Sequence, residues 1–114
     1  MKYDVKLLQG AVDFILSLPQ KMQAKVQRTI ELLSEFGYQL PEPHSKVLKG
    51  YDGLKELRIK QGSNICRLFY FHYHGSVYIV TSGYIKKEDK TKQSEIDKAM
   101  NLMKLVKENK NENN

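Results

Sequence analysis

The chain has 114 residues, of which 40% are hydrophobic and 28% charged, so it is long enough for one packed domain and too apolar to be disordered throughout. Its 19 lysines and arginines outnumber 13 acidic residues and give a formal net charge of +6, which favours a polyanionic partner, nucleic acid or an acidic protein. The one cysteine, Cys66, excludes an intramolecular disulfide and has no companion ligands for a metal.

Hydropathy gives no sign of a membrane protein. No apolar run approaches the ~20 residues that span a bilayer. The N-terminal sequence MKYDVKLLQG lacks the sustained apolar core of a signal peptide. We therefore expect a soluble, cytoplasmic protein that does not contact a membrane.

The first third of the chain predicts a strand followed by two helices. Apolar and polar residues alternate over residues 2–8, as in a strand with one covered face. Gly10 interrupts this run, and residues 11–18 have helical spacing up to Pro19. From Pro19 to Phe36 the apolar residues recur every three to four positions, which predicts an amphipathic helix with Gly37 as its C-terminal cap.

The remainder predicts a loop, three strands and a last helix. Residues 38–50 contain two prolines and little periodicity, which is typical of a loop. β-like runs follow over residues 54–60, 64–73 and 76–84, joined by turns short enough for antiparallel hairpins. Residues 93–106 have an apolar helical face, which predicts the final helix.

The predicted order β-α-α-β-β-β-α indicates an α+β protein in which the helices pack on one face of an antiparallel sheet. We expect one domain over residues 1–108. Residues 109–114 are polar and have nothing to bury, so we expect a flexible C-terminal tail.

Two arginines lie on neighbouring predicted strands. Side chains alternate across a strand, so if Leu57 and Cys66 point to the core, Arg58 and Arg67 share the open face. Two guanidinium groups beside aromatic rings are able to hold a phosphate and stack a base. The alternative is structural: Arg58 pairs with Glu56 or another carboxylate across the sheet, and the aromatic side chains fill the core.

Several site classes have no support in the sequence. There is no Walker loop, no GxGxxG, no HExxH and no Gly-x-Ser-x-Gly elbow, so we expect no metal and no cofactor. His72 has the opposite strand parity to Arg67, which disfavours a paired-histidine ribonuclease mechanism. His44, in the predicted loop, is a proton donor only if that loop folds over the sheet.

An ordered set of short motifs resembles the RelE/ParE toxin superfamily and is most similar to its HigB-like branch. The motifs are LKG at residues 48–50, then GLKELRI, ICRLFYF, VTSGYIKK and, in the last helix, SEIDKA. The resemblance extends from Tyr3 to about Val106. It implies a RelE-like α+β fold with helices against one face of the sheet and a basic site on the other.

The resemblance also implies an activity. It indicates the toxin of a type II toxin–antitoxin system, a ribosome-dependent endoribonuclease (mRNA interferase) that cleaves messenger RNA by attack of the 2′-OH on the adjacent phosphate and so inhibits translation and growth. The implied partners are the ribosome with its mRNA and a cognate antitoxin, a helix-turn-helix protein similar to HigA, in a toxin–antitoxin hetero-oligomer.

The residues that match the motifs define the expected site. The resemblance implies that Arg58 and Arg67 hold the scissile phosphate and that Lys86 or Lys87 stabilises charge or relays a proton, next to the aromatic Tyr84. Preorganised cations of this kind lower the barrier to a phosphorane transition state. Around this catalytic set we expect further RNA contacts from four residues, Lys46, Lys49, Lys60 and Phe69.

Two departures and two alternatives stay open. Thr91 is followed by Lys92, where the family commonly has Thr-Pro, and the last helix lacks the tyrosine or histidine with which some relatives transfer protons. One alternative is a ParE-like toxin that poisons DNA gyrase, which the basic set disfavours. The other is a basic RNA-binding module without catalysis.

Overall fold

The computed structural model describes residues 2–87 and 90–112, with side chains through Asn109. It confirms the α+β class and contains three helices and five strands among these residues. The elements in chain order are β1 (Asp4–Leu7), α1 (Gln9–Leu16), α2 (Gln20–Phe36), β2 (Ser45–Val47), β3 (Lys55–Gln61), β4 (Asn64–His74), β5 (Val77–Lys86) and α3 (Gln93–Glu112).

The strands form one mixed sheet in the order β1-β5-β4-β3-β2. β3, β4 and β5 are the predicted antiparallel hairpins, whereas β1 runs parallel to β5, from Asp4 beside Val77 to Leu7 beside Val80. The expectation of a wholly antiparallel sheet was therefore wrong for β1. Two helices separate β1 from the other strands, and local alternation carries no information about the direction of such a distant partner.

β2 lies within the predicted loop at residues 38–50. It has only three residues, too few to show alternation, and pairs with β3 from Ser45 opposite Leu57 to Val47 opposite Lys55. One turn of 3-10 helix, Gly37–Gln39, precedes it. The edge of β3 is consequently covered along only part of its length.

The helices cover both faces of the sheet. α1 and α2 pack on the face that carries Cys66, Leu68 and Tyr70 of β4, while α3 packs on the opposite face, over Phe69 and Phe71. The expectation that all helices lie on one face was wrong because both sets of alternate side chains on β4 are apolar. Each set requires a covering layer to exclude water.

Two glycines allow the α1–α2 layer to approach the sheet closely. A β-carbon on Gly83 of β5 would lie 2.5 Å from a Leu68 side-chain carbon and 2.6 Å from Phe14 of α1. Gly37 ends α2 with a φ of 54°, in the left-handed region that side chains disfavour, and the Tyr3 ring packs against it. Ser34 secures the same corner by donating a 2.6 Å hydrogen bond to the Tyr3 carbonyl.

α3 is longer than the sequence predicts. It continues to Glu112, so the first residues of the predicted tail belong to the helix, and residues 113–114 lie outside the described residues. Ile96, Ala99 and Met103 are its buried contacts with the sheet. In the described part of the chain, no helix combines the length and the apolar character needed to cross a bilayer.

A buried ion pair joins β3, β4 and the segment before α3. Glu56 is fully buried and Arg67 is 2% exposed, and the Arg67 guanidinium donates to the Glu56 carboxylate. The Thr91 hydroxyl donates to Glu56 Oε2 at 3.1 Å and accepts from Arg67 Nη1, also at 3.1 Å. Neither charge is solvated by water here, so each depends on the other for stabilisation.

Replacing Glu56 by Ala should destabilise the protein strongly. Removing one partner of a buried pair leaves an uncompensated charge, which costs about 3–5 kcal/mol of the free energy of unfolding. Urea unfolding followed by circular dichroism measures this loss. The matched control is Glu31→Ala, which breaks an exposed 3.7 Å pair with Arg28 and should cost less than about 1 kcal/mol. Equal losses in the two variants would contradict a buried, mutually dependent pair.

Cys66 should be unreactive in the native protein. The side chain is fully buried against the α1–α2 layer, and burial raises the pKa of its thiol to about 11. Because the reactive species is the thiolate, the thiol stays protonated and inaccessible at pH 8. Labelling by a chromogenic disulfide should be slow in buffer and fast in urea. Rapid stoichiometric labelling without denaturant would contradict this placement.

Candidate functional site

Three predicted site residues lie in one row across the sheet. Arg58 of β3 is the register partner of Arg67 of β4, which in turn is the partner of Tyr84 of β5. The next row places Lys60 opposite Ile65 and Ile65 opposite Lys86. Residues in register on adjacent strands share a face, so the sheet brings these basic residues and the phenol together on the side that α3 partly covers.

The two arginines differ in their surroundings. Arg67 is buried beneath the start of α3 with its charge paired to Glu56, and its Nε has no hydrogen-bond partner among the described residues. Arg58 is half-buried, and its guanidinium forms no ion pair or hydrogen bond within residues 2–87 and 90–112. Arg58 is therefore the arginine whose charge is available to an anion. The sequence analysis offered an ion pair with Glu56 as the structural alternative for Arg58. In the structure Arg67 forms this ion pair.

Tyr84 is fixed at both ends of its side chain. Its ring stacks on Phe69 with centroids 5.7 Å apart and planes 9° from parallel. Its hydroxyl accepts a 3.3 Å hydrogen bond from the backbone N–H of Lys92. Stacking and this hydrogen bond together restrict the rotamer, so the phenol is held in place before any ligand binds.

A pocket of about 290 Å³ opens beside Tyr84, between the end of β5 and the start of α3. Among the described residues, three lysines and one carboxylate line it, and this set favours an anion. Glu95, from the first turn of α3, is half-buried at its wall. The lining consists of Tyr84, Ile85, Lys87, Lys90, Lys92 and Glu95.

The other predicted residues are not part of the described lining of this pocket. Lys86 lies one residue before Lys87 and is half-buried, and Lys60 is exposed in the same row. Lys46 is exposed on β2 opposite Glu56, and Lys49 is exposed in the turn after β2. Phe69 is fully buried in the core under α3, so the expectation that it contacts RNA conflicts with its position. Its ring supports Tyr84 instead.

Five contributors to the site were missed by the sequence analysis. Lys90, Lys92 and Glu95 line the pocket, while Glu56 and Thr91 form the hydrogen-bonded unit with Arg67. The available signal was the density of lysines between the third predicted strand and the last helix, in KKEDKTK. Charge runs usually form solvated surfaces, and only the fold shows that this one closes a pocket.

None of the three histidines is in the described lining of this pocket, although the His44 carbonyl accepts a 2.9 Å hydrogen bond from the Arg58 N–H. His72 contacts the carbonyl of Gly75 at 2.7 Å and packs on Tyr78, with ring centroids 5.2 Å apart, on the α1–α2 side of the sheet. Across the described residues, no group of three or more His, Cys, Asp or Glu side chains is placed to hold a metal ion. The described lining of the pocket thus offers ammonium groups, a phenol and one carboxylate, with Arg58 in the row of Tyr84.

Comparison with known proteins bears on the family and the fold. A family model described as "Phage derived protein Gp49-like (DUF891)" matches residues 13–104, most of the chain. A search of curated proteins finds no significant match.

Solved structures of RelE proteins have the same fold. A mutant E. coli toxin RelE in the free state aligns with a TM-score of 0.61 at 20% identity, covering 88% of this chain and 95% of that one. RelE in the archaeal RelE–RelB complex from Pyrococcus horikoshii aligns with a TM-score of 0.54 at 20% identity, covering 80% and 100%. In the intact E. coli RelBE toxin–antitoxin complex the TM-score is 0.56 at 19% identity, covering 77% and 99%.

The structural matches and the family model agree with the motifs in β3, β4, β5 and α3. The chain belongs to the phage derived Gp49-like family, within the RelE superfamily of toxins, and has the RelE fold.

Proposed function

We propose that this protein is the toxin of a type II toxin–antitoxin pair, similar to HigB, and that it cleaves messenger RNA on the ribosome. The superfamily and the fold support the toxin assignment. The observation that carries the enzymatic part is the pocket beside Tyr84, where a fixed phenol faces Lys87, Lys90, Lys92 and Glu95. Such a set is suited to a phosphodiester.

The proposed reaction is an internal transfer at phosphorus. The ribose 2′-oxygen loses its proton and attacks the adjacent phosphorus, the bond from phosphorus to the 5′-oxygen breaks, and the leaving oxygen takes a proton. The products are a 2′,3′-cyclic phosphate and a 5′-hydroxyl. Negative charge accumulates on the phosphorane oxygens, and lysine ammonium groups held by the fold stabilise that charge without reorganisation.

Individual roles follow from position. Lys87 lines the pocket and Arg58 belongs to the row of Tyr84, so we assign the phosphate contacts to these two cations, with additional charge from Lys86. Tyr84 donates or relays a proton through its hydroxyl. Glu95 is the carboxylate in the lining of the pocket, which makes it the candidate proton acceptor that the sequence motifs did not supply.

Arg67 acts as a positioning residue in this mechanism. Its guanidinium is committed to Glu56 and Thr91, and Thr91 immediately precedes Lys92, whose N–H holds the Tyr84 hydroxyl. An Arg67 variant would disturb the start of α3 and the fold together. Arg58, Tyr84 and Lys87 are therefore better tests of catalysis.

The partners of the proposed enzyme are the ribosome with its mRNA and an antitoxin. The solved RelE structures include complexes with RelB, which supports an antitoxin partner for this chain as well. We assign the antitoxin to the helix-turn-helix class similar to HigA, on the HigB-like motifs. Exposed Lys46, Lys49 and Lys60 extend the positive surface that RNA would meet.

Tyr84→Phe and Lys87→Ala should each abolish growth arrest on induction and reduce transcript cleavage. Tyr84→Phe keeps the stacking on Phe69 and removes only the hydroxyl, so a proton-transfer role predicts a loss of roughly 100-fold or more. Lys87→Ala removes a charge at the phosphate and should cost roughly 100-fold. Primer extension of cellular transcripts after induction measures both effects.

The matched control is Tyr38→Phe, which removes a hydroxyl from a side chain that is 69% exposed and remote from the pocket. It should cleave at the unaltered rate. Full cleavage by both Tyr84→Phe and Lys87→Ala, with circular dichroism spectra like that of the parent, would overturn the site assignment.

Purified protein should bind naked RNA weakly and cut it poorly. The attraction comes mainly from lysines and arginines, so binding should fall steeply with salt concentration, while programmed ribosomes should restore cleavage. Filter binding across a salt series, together with cleavage assays with and without 70S ribosomes, tests this. Efficient cutting of naked RNA would contradict ribosome dependence and leave the nuclease assignment in place.

A further inference from the structure

Lys92 has a fixed backbone position at the wall of the pocket beside Tyr84. Its N–H donates to the Tyr84 hydroxyl at 3.3 Å, and its carbonyl accepts from the N–H groups of Glu95 at 3.1 Å and Ile96 at 3.2 Å. The main chain is therefore held on both sides of this residue, and its side chain starts from a defined point at the pocket. A lysine in such a place is able to act as a nucleophile as well as a cation.

Glu95 belongs to the turn that Lys92 begins, and it lines the same pocket. Lys92 is exposed and Glu95 is half-buried, so a reagent reaches the amine from solvent while the carboxylate lies at the wall. An ammonium group must lose a proton before its nitrogen attacks a carbonyl carbon. A carboxylate beside it is able to accept that proton.

Lys87 and Lys90 complete a site for a small anion. Both are exposed and line the pocket, and neither side chain forms an ion pair or hydrogen bond with another described residue. The pocket has a volume of about 290 Å³, at the lower end of the range of about 300–1,000 Å³ usual for ligand sites. This volume suits a phosphate group with a few further atoms better than a nucleotide-sized cofactor.

We propose that Lys92 is a site of acylation by small acyl phosphates, of which acetyl phosphate is the simplest. Lys87 and Lys90 hold the phosphate group, Glu95 takes one proton from the Lys92 ammonium, and the lone pair on Nζ attacks the acyl carbon. The bond from that carbon to the phosphate oxygen breaks, and inorganic phosphate leaves with the electron pair and the second proton of the amine. An amide remains on Lys92.

This modification goes beyond the proposed function and requires only an anion pocket beside an amine. Its consequence for cleavage rests on the proposed function. Acylation turns an ammonium group into a neutral amide and so removes a positive charge from the pocket. A chain acylated at Lys92 would stabilise the phosphorane less and cleave transcripts more slowly.

The test treats the folded chain with acetyl phosphate and follows each lysine by peptide mass spectrometry. Binding of the reagent beside the amine raises its effective concentration, so we expect Lys92 to react about tenfold faster or more than Lys98 and Lys104. These two lysines are exposed on α3, outside the described lining of the pocket. Inorganic phosphate should slow acetylation of Lys92 and leave that of Lys98 unchanged. Acetic anhydride carries the same acetyl group without a phosphate and should show no such preference.

Glu95→Gln isolates the proton transfer. Glutamine has the same shape but is not a base at neutral pH, so the rate at saturating acetyl phosphate should fall about tenfold or more. The half-saturating concentration should not rise, because the substitution removes a negative charge from an anion site. The matched control is Glu108→Gln, at an exposed position of the same helix, which should retain the parent rate. Circular dichroism checks that both variants are folded.

Four results overturn the inference. They are equal acetylation of Lys92 and Lys98, preferential acetylation of Lys87 or Lys90, absence of protection by phosphate, and the same preference for Lys92 with acetic anhydride. An unchanged saturating rate in Glu95→Gln would overturn the role of the carboxylate. Each of these measurements is made without RNA, so a failure here is distinct from a failure of the proposed function, which transcript cleavage by the unmodified protein tests.

Discussion

The buried pair between Glu56 and Arg67 is the interaction on which the rest of the structure depends. It joins two central strands and, through Thr91, fixes the segment that leads into α3. That segment carries Lys90 and Lys92 to the pocket. A charged residue at the centre of the sheet thus determines where other charged residues, many positions later in the chain, meet a ligand.

The described part of the sheet borders two concavities, one beside Tyr84 and one at the free edge of β3. On one face, β5 and α3 enclose the pocket beside Tyr84, which has a rigid phenol and lysines. On the other, α2 and the edge of β3 enclose an apolar groove with a basic rim. Arg58, at the edge of the sheet, borders the groove and belongs to the row that leads to Tyr84. The row of charged residues and the groove therefore meet at Arg58.

Most of the fold was predictable because it is encoded in local periodicity. The hairpins of β3, β4 and β5 follow from alternation and short turns, and α2 follows from its apolar stripe. Local periodicity did not predict the direction of β1, the existence of β2 or the position of α3. These features depend on contacts between residues that are distant in sequence. For the site, parity placed Arg58 and Arg67 on one face. Parity alone was unable to show that Glu56, on the same face, would pair with Arg67 and leave Arg58 without a carboxylate partner among the described residues.

The length of chain that separates the walls of the pocket has a consequence for biosynthesis. Tyr84 and Lys87 precede Lys90, Lys92 and Glu95, and Glu95 reaches the pocket only once α3 packs on Phe69 and Phe71. Any chain that stops before α3 lacks Glu95 and exposes the aromatic face that α3 covers. The complete pocket therefore forms only after the last helix has emerged and docked.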